Sequence, residues 1–139
     1  MALKIIFMGT PEFAVPILKS IHNSNNEIIE VYTQPPKKKN RGLKISVSPI
    51  YSIAKEFNLN LRCPETLNNE IELQHLKKIK PNVVVVVAYG KILPDEFLNI
   101  KGITFINIHA SLLPRWRGAA PIQRAIMNMD KETGVSIMK

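Results

Sequence analysis

Five valines in succession, Val83 to Val87, followed by Ala88, constrain this chain more than any other stretch. A β-branched run with no polar residue alternating through it fits a strand covered on both faces, as in the centre of a parallel sheet. The run is too short to cross a bilayer, which takes about 20 apolar residues. A parallel neighbour requires crossover helices, so the flanking sequence should alternate strand-like and helix-like segments. It does. Residues 4–8 form an apolar run ending at Gly9, and residues 28–32 read as a second strand. Residues 59–62 make a short, weak strand, 103–109 another, and 135–138 begin one more.

Between these lie the helices. Thr10 is a candidate helix cap with Pro11 at the first helical position, and Phe13, Ala14, Ile17, Leu18 and Ile21 recur at helical spacing. Pro16 either bends this helix or marks its true start. Ser48-Pro49 opens a second helix with Ile50, Ile53, Ala54 and Phe57 on its apolar face. Residues 69–79 make a charged amphipathic helix with Ile71, Leu76 and Ile79 expected inward, ended by Pro81. Residues 94–98 and 119–127 supply two more. Residues 34–47 read as a Pro- and Lys-rich loop. The expected architecture is α/β, a Rossmann-like, mostly parallel sheet flanked by helices and incomplete at its C-terminal end.

At 139 residues the chain suits one domain with a real core, and 45% hydrophobic against 22% charged residues excludes wholesale disorder. Met1-Ala2-Leu3-Lys4-Ile5 leads directly into a strand with no signal-peptide layout, so the cytoplasm is the default address and no membrane contact is expected. The single cysteine, Cys63, excludes an internal disulfide framework and a cysteine-rich zinc site. With no basic partner near it in sequence, it reads as a buried or half-buried small apolar residue rather than a nucleophile. No metal is expected. The net charge of +8 is concentrated at Lys37, Lys38, Lys39, Arg41 and Lys44. This cluster is either a solvated loop or a phosphate-binding arm.

Chemistry in such folds collects beyond the carboxyl ends of the strands. Gly9-Thr10-Pro11, Ala88-Tyr89-Gly90 and residues 107–114 all fall there. Asn107 and His109, two apart on a strand, point to the same face, while Ile106 and Ile108 point into an apolar layer. An amide and an imidazole so placed can donate to an oxyanion developing on a carbonyl oxygen, and the histidine can also move a proton. A lone histidine is more often bonded to backbone. Asn107 beside it, and the loop Ser111-Leu112-Leu113-Pro114-Arg115-Trp116-Arg117-Gly118 directly after, favour the catalytic reading. Two arginines around the only tryptophan mark a ligand loop. No Gly-x-Gly-x-x-Gly follows the first strand and no Gly-Lys-Ser/Thr phosphate loop occurs, which argues against nicotinamide-cofactor and nucleoside-triphosphate sites. His22 and His75 read as surface residues.

Asn-x-His followed by Ser-Leu-Leu-Pro resembles the 10-formyltetrahydrofolate-dependent formyltransferases. The string from Ser111 through Arg115-Trp116-Arg117-Gly118-Ala119-Ala120-Pro121-Ile122-Gln123 to Ile126 is similar to the methionyl-tRNA formyltransferase family in particular. So are Phe7 to Ala14, Thr33-Gln34-Pro35, Val86 to Gly90 and Glu132 to Val135, in the family's order along the whole chain. The resemblance implies transfer of a formyl group from 10-formyltetrahydrofolate to the amino group of methionyl initiator tRNA. Asn107 and His109 would polarise the formyl oxygen. Ser111, Leu112, Leu113 and Pro114 would contact the folate, with Tyr89 and Gly90 beside the pterin pocket. Lys37, Lys38, Lys39, Arg41 and Lys44 would form the arm that reaches the tRNA, Arg41-Gly42 matching the family's arginine-glycine pair. Pro36 stands where an aspartate is usual, and Lys-Lys-Lys-Asn before the arginine also departs from the pattern.

The family's third catalytic group is an aspartate soon after the Thr-Gly-Val strand, beyond Lys139, and Asp130 does not match it. The resemblance also implies a C-terminal β-barrel domain that lies outside this sequence. We therefore expect a fragment of a longer, monomeric protein, inactive alone. Two rivals stand beside this reading: a folate-dependent formyltransferase acting on a nucleotide sugar or purine precursor, and a non-catalytic RNA-binding fragment.

Overall fold

A computed structural model describes residues 2–39, 44–109 and 136–138, with backbone alone for Lys39 and residues 136–138. Strand β1 (Lys4–Gly9) lies between β2 (Glu27–Tyr32) and β6 (Val83–Val87), both parallel to it. The six-stranded sheet runs β5-β2-β1-β6-β7-β8, with β5 at Leu61–Arg62, β7 at Thr104–His109 and β8 at Ser136–Met138. All neighbours are parallel except β8, which runs antiparallel to β7. The expected mostly parallel α/β sheet is therefore present. The strand order reverses between β1 and β6.

Period-two alternation divides each central strand between two apolar layers. On one face Ile5 and Phe7 of β1 and Val85 and Val87 of β6 meet Ala14, Val15 and Leu18 of α1 (Ala14–His22) and Ile50 and Ala54 of α2 (Pro49–Glu56). On the other, Ile6, Met8 and Val84 meet Leu73 and Leu76 of α3 (Glu70–Ile79) and Phe97 of α4 (Asp95–Leu98). The valine run is covered on both sides, as its composition requires.

Four local expectations are corrected, and the alternative left open at Pro16 is resolved. Thr10 is not a helix cap: α1 begins after Phe13, and no side chain caps it. Pro16 falls in its first turn, where a backbone N–H has no intrahelical acceptor, so the proline marks the start rather than a bend. The interval 34–47 contains an antiparallel hairpin, β3 (Lys37–Lys39) with β4 (Lys44–Ser46), pairing Lys38 with Ile45. In α3, Leu76 and Ile79 pack inward as expected, but Ile71 is 72% exposed and Leu73 is buried in its place. The cause is Glu72, which turns inward to an ion pair instead of outward to water. His75, expected on the surface, is half-buried against the buried Glu30 of β2, its Nε2 lying 2.6 Å from Oε1. His22 is exposed, as expected, and stacks on Phe57 with ring centroids 4.4 Å apart.

A register shift between Ile5 and Ile6 of β1 re-phases β2, so that Glu30 and Tyr32 both face α3. There the Tyr32 hydroxyl donates to Glu72 Oε1 at 3.1 Å. Arg62 Nε and Nη2 donate to the two Glu72 oxygens at 3.0 and 2.8 Å. Burial opposes the charge on Glu72, but the paired arginine outweighs it and holds the carboxyl below its usual range. Burial first, then the Glu72 charge, pushes the Tyr32 hydroxyl above its ordinary range, and the hydrogen bond to Glu72 raises Arg62.

Candidate active site

The point where strand order reverses in a doubly wound sheet leaves a crevice beyond the strands' carboxyl ends. Here it is bounded by Gly9-Thr10 at the end of β1, Thr33-Gln34 after β2, the turn 88–90 after β6 and the end of β7. The turn after β6 is conformationally unusual: Ala88 has φ +50 and Gly90 φ +92. A side chain is rarely tolerated at the first and strongly disfavoured at the second. A Cβ on Gly90 would also stand 2.5 Å from Gln34 Nε2, so the turn and the segment after β2 are in close contact. Gly9 is held to glycine differently, since a Cβ there would lie 3.0 Å from the Val87 carbonyl oxygen.

Thr10, at the centre, donates from Oγ1 to the Tyr89 carbonyl oxygen at 2.7 Å. Tyr89 itself points inward, 1% exposed, and its hydroxyl finds no hydrogen-bond partner among the described residues. Burial, followed by the Glu72 charge, pushes that hydroxyl above its ordinary range, so it is a neutral group and no base.

Asn107 and His109 share one face of β7, as strand periodicity requires, with Asn107 exposed and His109 half-buried. Asn107 pairs with Val86 of β6 on one side and with Met138 of β8 on the other, and His109 pairs with Ser136. Asn107 borders a cleft of about 430 Å³ lined by Val86, Lys91, Ile92, Leu93, Phe105 and Leu98 among others. That volume falls in the range of small-molecule pockets. Ile92 projects into solvent at its rim, 92% exposed. Lys91 is tethered by Nζ to the Glu65 carbonyl at 2.6 Å.

Sequence reasoning placed Tyr89, Gly90, Asn107 and His109 at this edge, and the structure brings them there. It missed Lys91, Ile92, Leu93 and Phe105, and it missed Gln34. The available signal was the apolar Ile92-Leu93 pair following a strand-end glycine. Lys37, Lys38 and Lys44 lie on the exposed strands of the β3–β4 hairpin, with Ile45 70% exposed beside them, and Lys39 is in β3. Arg41 and Gly42, the loop Ser111, Leu112, Leu113, Pro114 to Gly118 and the helix expected over 119–127 lie outside the described residues. Cys63 is half-buried and free, its thiol pushed up by burial, which makes it a poor nucleophile. Among the described residues no helix is long and apolar enough to cross a membrane.

A mostly parallel sheet with a crevice at its point of reversal is an architecture shared by several classes of enzyme, and comparison with known proteins identifies which one this chain falls in. The formyl transferase family model matches residues 3–139, and the chain belongs to that family. Within it, the methionyl-tRNA formyltransferase of Pelagibacter ubique (strain HTCC1062) is 60% identical over 140 residues, covering 100% of this chain and 45% of that protein. The methionyl-tRNA formyltransferase of Coxiella burnetii (strain RSA 493 / Nine Mile phase I) is 50% identical over 139 residues, covering 100% of this chain and 44% of that one. The chain thus spans less than half the length of these curated relatives. Among solved structures, phosphoribosylglycinamide formyltransferase from Anaplasma phagocytophilum superposes with a TM-score of 0.71 at 21% identity, covering 99% of this chain and 64% of that chain. Glycinamide ribonucleotide transformylase 1 from Geobacillus kaustophilus gives 0.72 at 17%, covering 99% and 73%. At those identities the likeness is one of fold.

Proposed function

We propose that this chain is the catalytic portion of an enzyme that moves a formyl group from 10-formyltetrahydrofolate to the amino group of methionyl initiator tRNA. The observation that carries the reading is Asn107, at the carboxyl end of β7 and on the same face as His109, bordering the cleft at Val86, Lys91 to Leu93 and Phe105. The relatives' identity of 50–60% across the whole chain supports the acceptor. An apolar cleft with a few polar groups at one end suits a flat heteroaromatic donor whose reactive carbon must be presented at that end.

In this reading the uncharged amine attacks the formyl carbon, a C–N bond forms and the bond from that carbon to the folate nitrogen breaks. The amine proton passes to the departing nitrogen. Asn107 and His109 donate hydrogen bonds to the formyl oxygen while it carries negative charge, and His109 serves the proton transfer. Ser111 to Pro114, with the turn at Tyr89-Gly90, contact the folate. Lys37, Lys38, Lys39, Lys44 and Arg41 meet the phosphates of the tRNA acceptor end and release its counterions. The protein works as a cytoplasmic monomer without a metal.

The test is a formyl-transfer assay, with the chain in its full reading frame, offering methionyl initiator tRNA, a 4-amino nucleotide sugar and a glycinamide ribonucleotide in parallel. Transfer to the tRNA alone supports the proposal. Transfer to either small acceptor in its place overturns it.

A further inference from the structure

The basic hairpin and the crevice meet at one side chain. The Thr10 hydroxyl donates to the Tyr89 carbonyl at 2.7 Å, inside the turn that carries Ala88 and Gly90 at positive φ. The same oxygen receives the Gln34 backbone N–H at 3.4 Å and lies 3.5 Å from Thr33 Oγ1. Thr33, fully buried, makes a 2.6 Å bond with Ser48 Oγ, and Ser48 caps α2 by accepting from the Tyr51 N–H at 3.0 Å. The Thr10 carbonyl in turn accepts from the Ile50 N–H at 3.4 Å. Thr33-Gln34 is the chain's entry to the hairpin and Ser48 its exit. Both roots of the hairpin, and the turn after β6, are therefore referred to one residue. The Gln34 side chain against the Gly90 α-carbon adds a second contact between the same two segments.

We propose that Thr10 is a positioning residue that sets the basic hairpin in register with the crevice turn. An acceptor strand held by the hairpin then arrives with its end at the donor cleft. A half-buried hydroxyl suits this role because its donor and acceptor capacities serve different segments at once, and threonine's branched Cβ leaves few rotamers. The inference rests on the proposed acceptor, and the experiment separates the two.

Thr10→Val keeps the shape and removes the hydroxyl, and Thr10→Ser restores it. With Thr10→Val, KM for methionyl initiator tRNA is expected to rise about 3- to 10-fold, the weight of one or two neutral hydrogen bonds, while kcat at saturation stays within about twofold. Trypsin cleavage after Lys37 and Lys38 should accelerate by a similar factor, and Thr10→Ser should return both readouts toward wild type. Cleavage and KM that do not change in Thr10→Val, or a serine variant that rescues neither, overturn the inference. Should the valine variant fail to fold, Ser48→Ala carries the test, since it loosens the hairpin exit without touching Tyr89. Faster hairpin cleavage with unchanged folate affinity is expected, and wild-type cleavage overturns the inference. Wild-type protein that transfers no formyl group to tRNA sinks the acceptor reading instead, while the cleavage readout still decides the role of Thr10.

Discussion

Arg62 and Glu72 join β5 to α3 through a two-pronged ion pair, Nε to Oε1 at 3.0 Å and Nη2 to Oε2 at 2.8 Å. The glutamate side chain is 8% exposed and the arginine 30%. Removing the arginine strands a buried carboxylate. Loss of one partner of a fully buried pair costs about 3–5 kcal/mol, and the arginine's residual exposure brings the expectation for Arg62→Ala to roughly 2–3 kcal/mol. Urea unfolding of the variant measures this, and a loss near zero contradicts it.

The same pair sets a pH dependence. The Glu72 carboxyl is held below its usual range, so the folded state binds that proton less readily than the unfolded chain. Its contribution is fully present above the unfolded glutamate value of about 4.3 and is lost as pH falls through the lower, folded value. The stability gap between wild type and Glu72→Gln should therefore narrow as pH drops below about 4. A gap that widens there contradicts the assignment.

Leu76 and Ile71 test which face of α3 is inward. Leu76→Ala should cost about 2–5 kcal/mol because Leu76 is fully buried. Ile71→Ala, at a position 72% exposed, should stay within about 0.5 kcal/mol. Thermal melts of the two variants decide, and similar costs would show that Ile71 is inward after all.

Ile71 shows where sequence stops being legible. Val83 to Val87 announced a doubly covered central strand, and Ser48-Pro49 a helix start, because each is written in local chemistry. Ile71 pointed inward on hydropathy alone. What overrides it is Glu72, whose partner Arg62 is ten residues away and whose second partner, Tyr32, is forty away. No window of sequence contains that triad. Thr10 misled for a related reason: Thr-Pro reads as a helix cap, but its hydroxyl bonds Tyr89, seventy-nine residues on. The candidate pair was legible because strand periodicity places Asn107 and His109 on one face wherever the strand sits. The cleft beside them was not, since Lys91 to Leu93 and Phe105 come together only when β6 and β7 pair.

Gly90 tests the turn beside that cleft. With φ +92 and Gln34 Nε2 within 2.5 Å of an added Cβ, Gly90→Ala meets both backbone strain and a clash. The variant should lose about 1–3 kcal/mol of stability and bind folate more weakly. Adding Gln34→Ala should recover the part due to the clash and leave the part due to φ. Wild-type stability in Gly90→Ala would contradict the turn geometry.

The central claim is that Asn107 and His109 stabilise charge on a transferring formyl group, and steady-state formylation of methionyl initiator tRNA by His109→Ala tests it most directly. The measurement is made with the chain in its full reading frame. Loss of one oxyanion donor typically costs about 2.7–4 kcal/mol, so kcat should fall by roughly 10²–10³ while tRNA affinity is retained. Wild-type turnover in the folded variant would contradict the account.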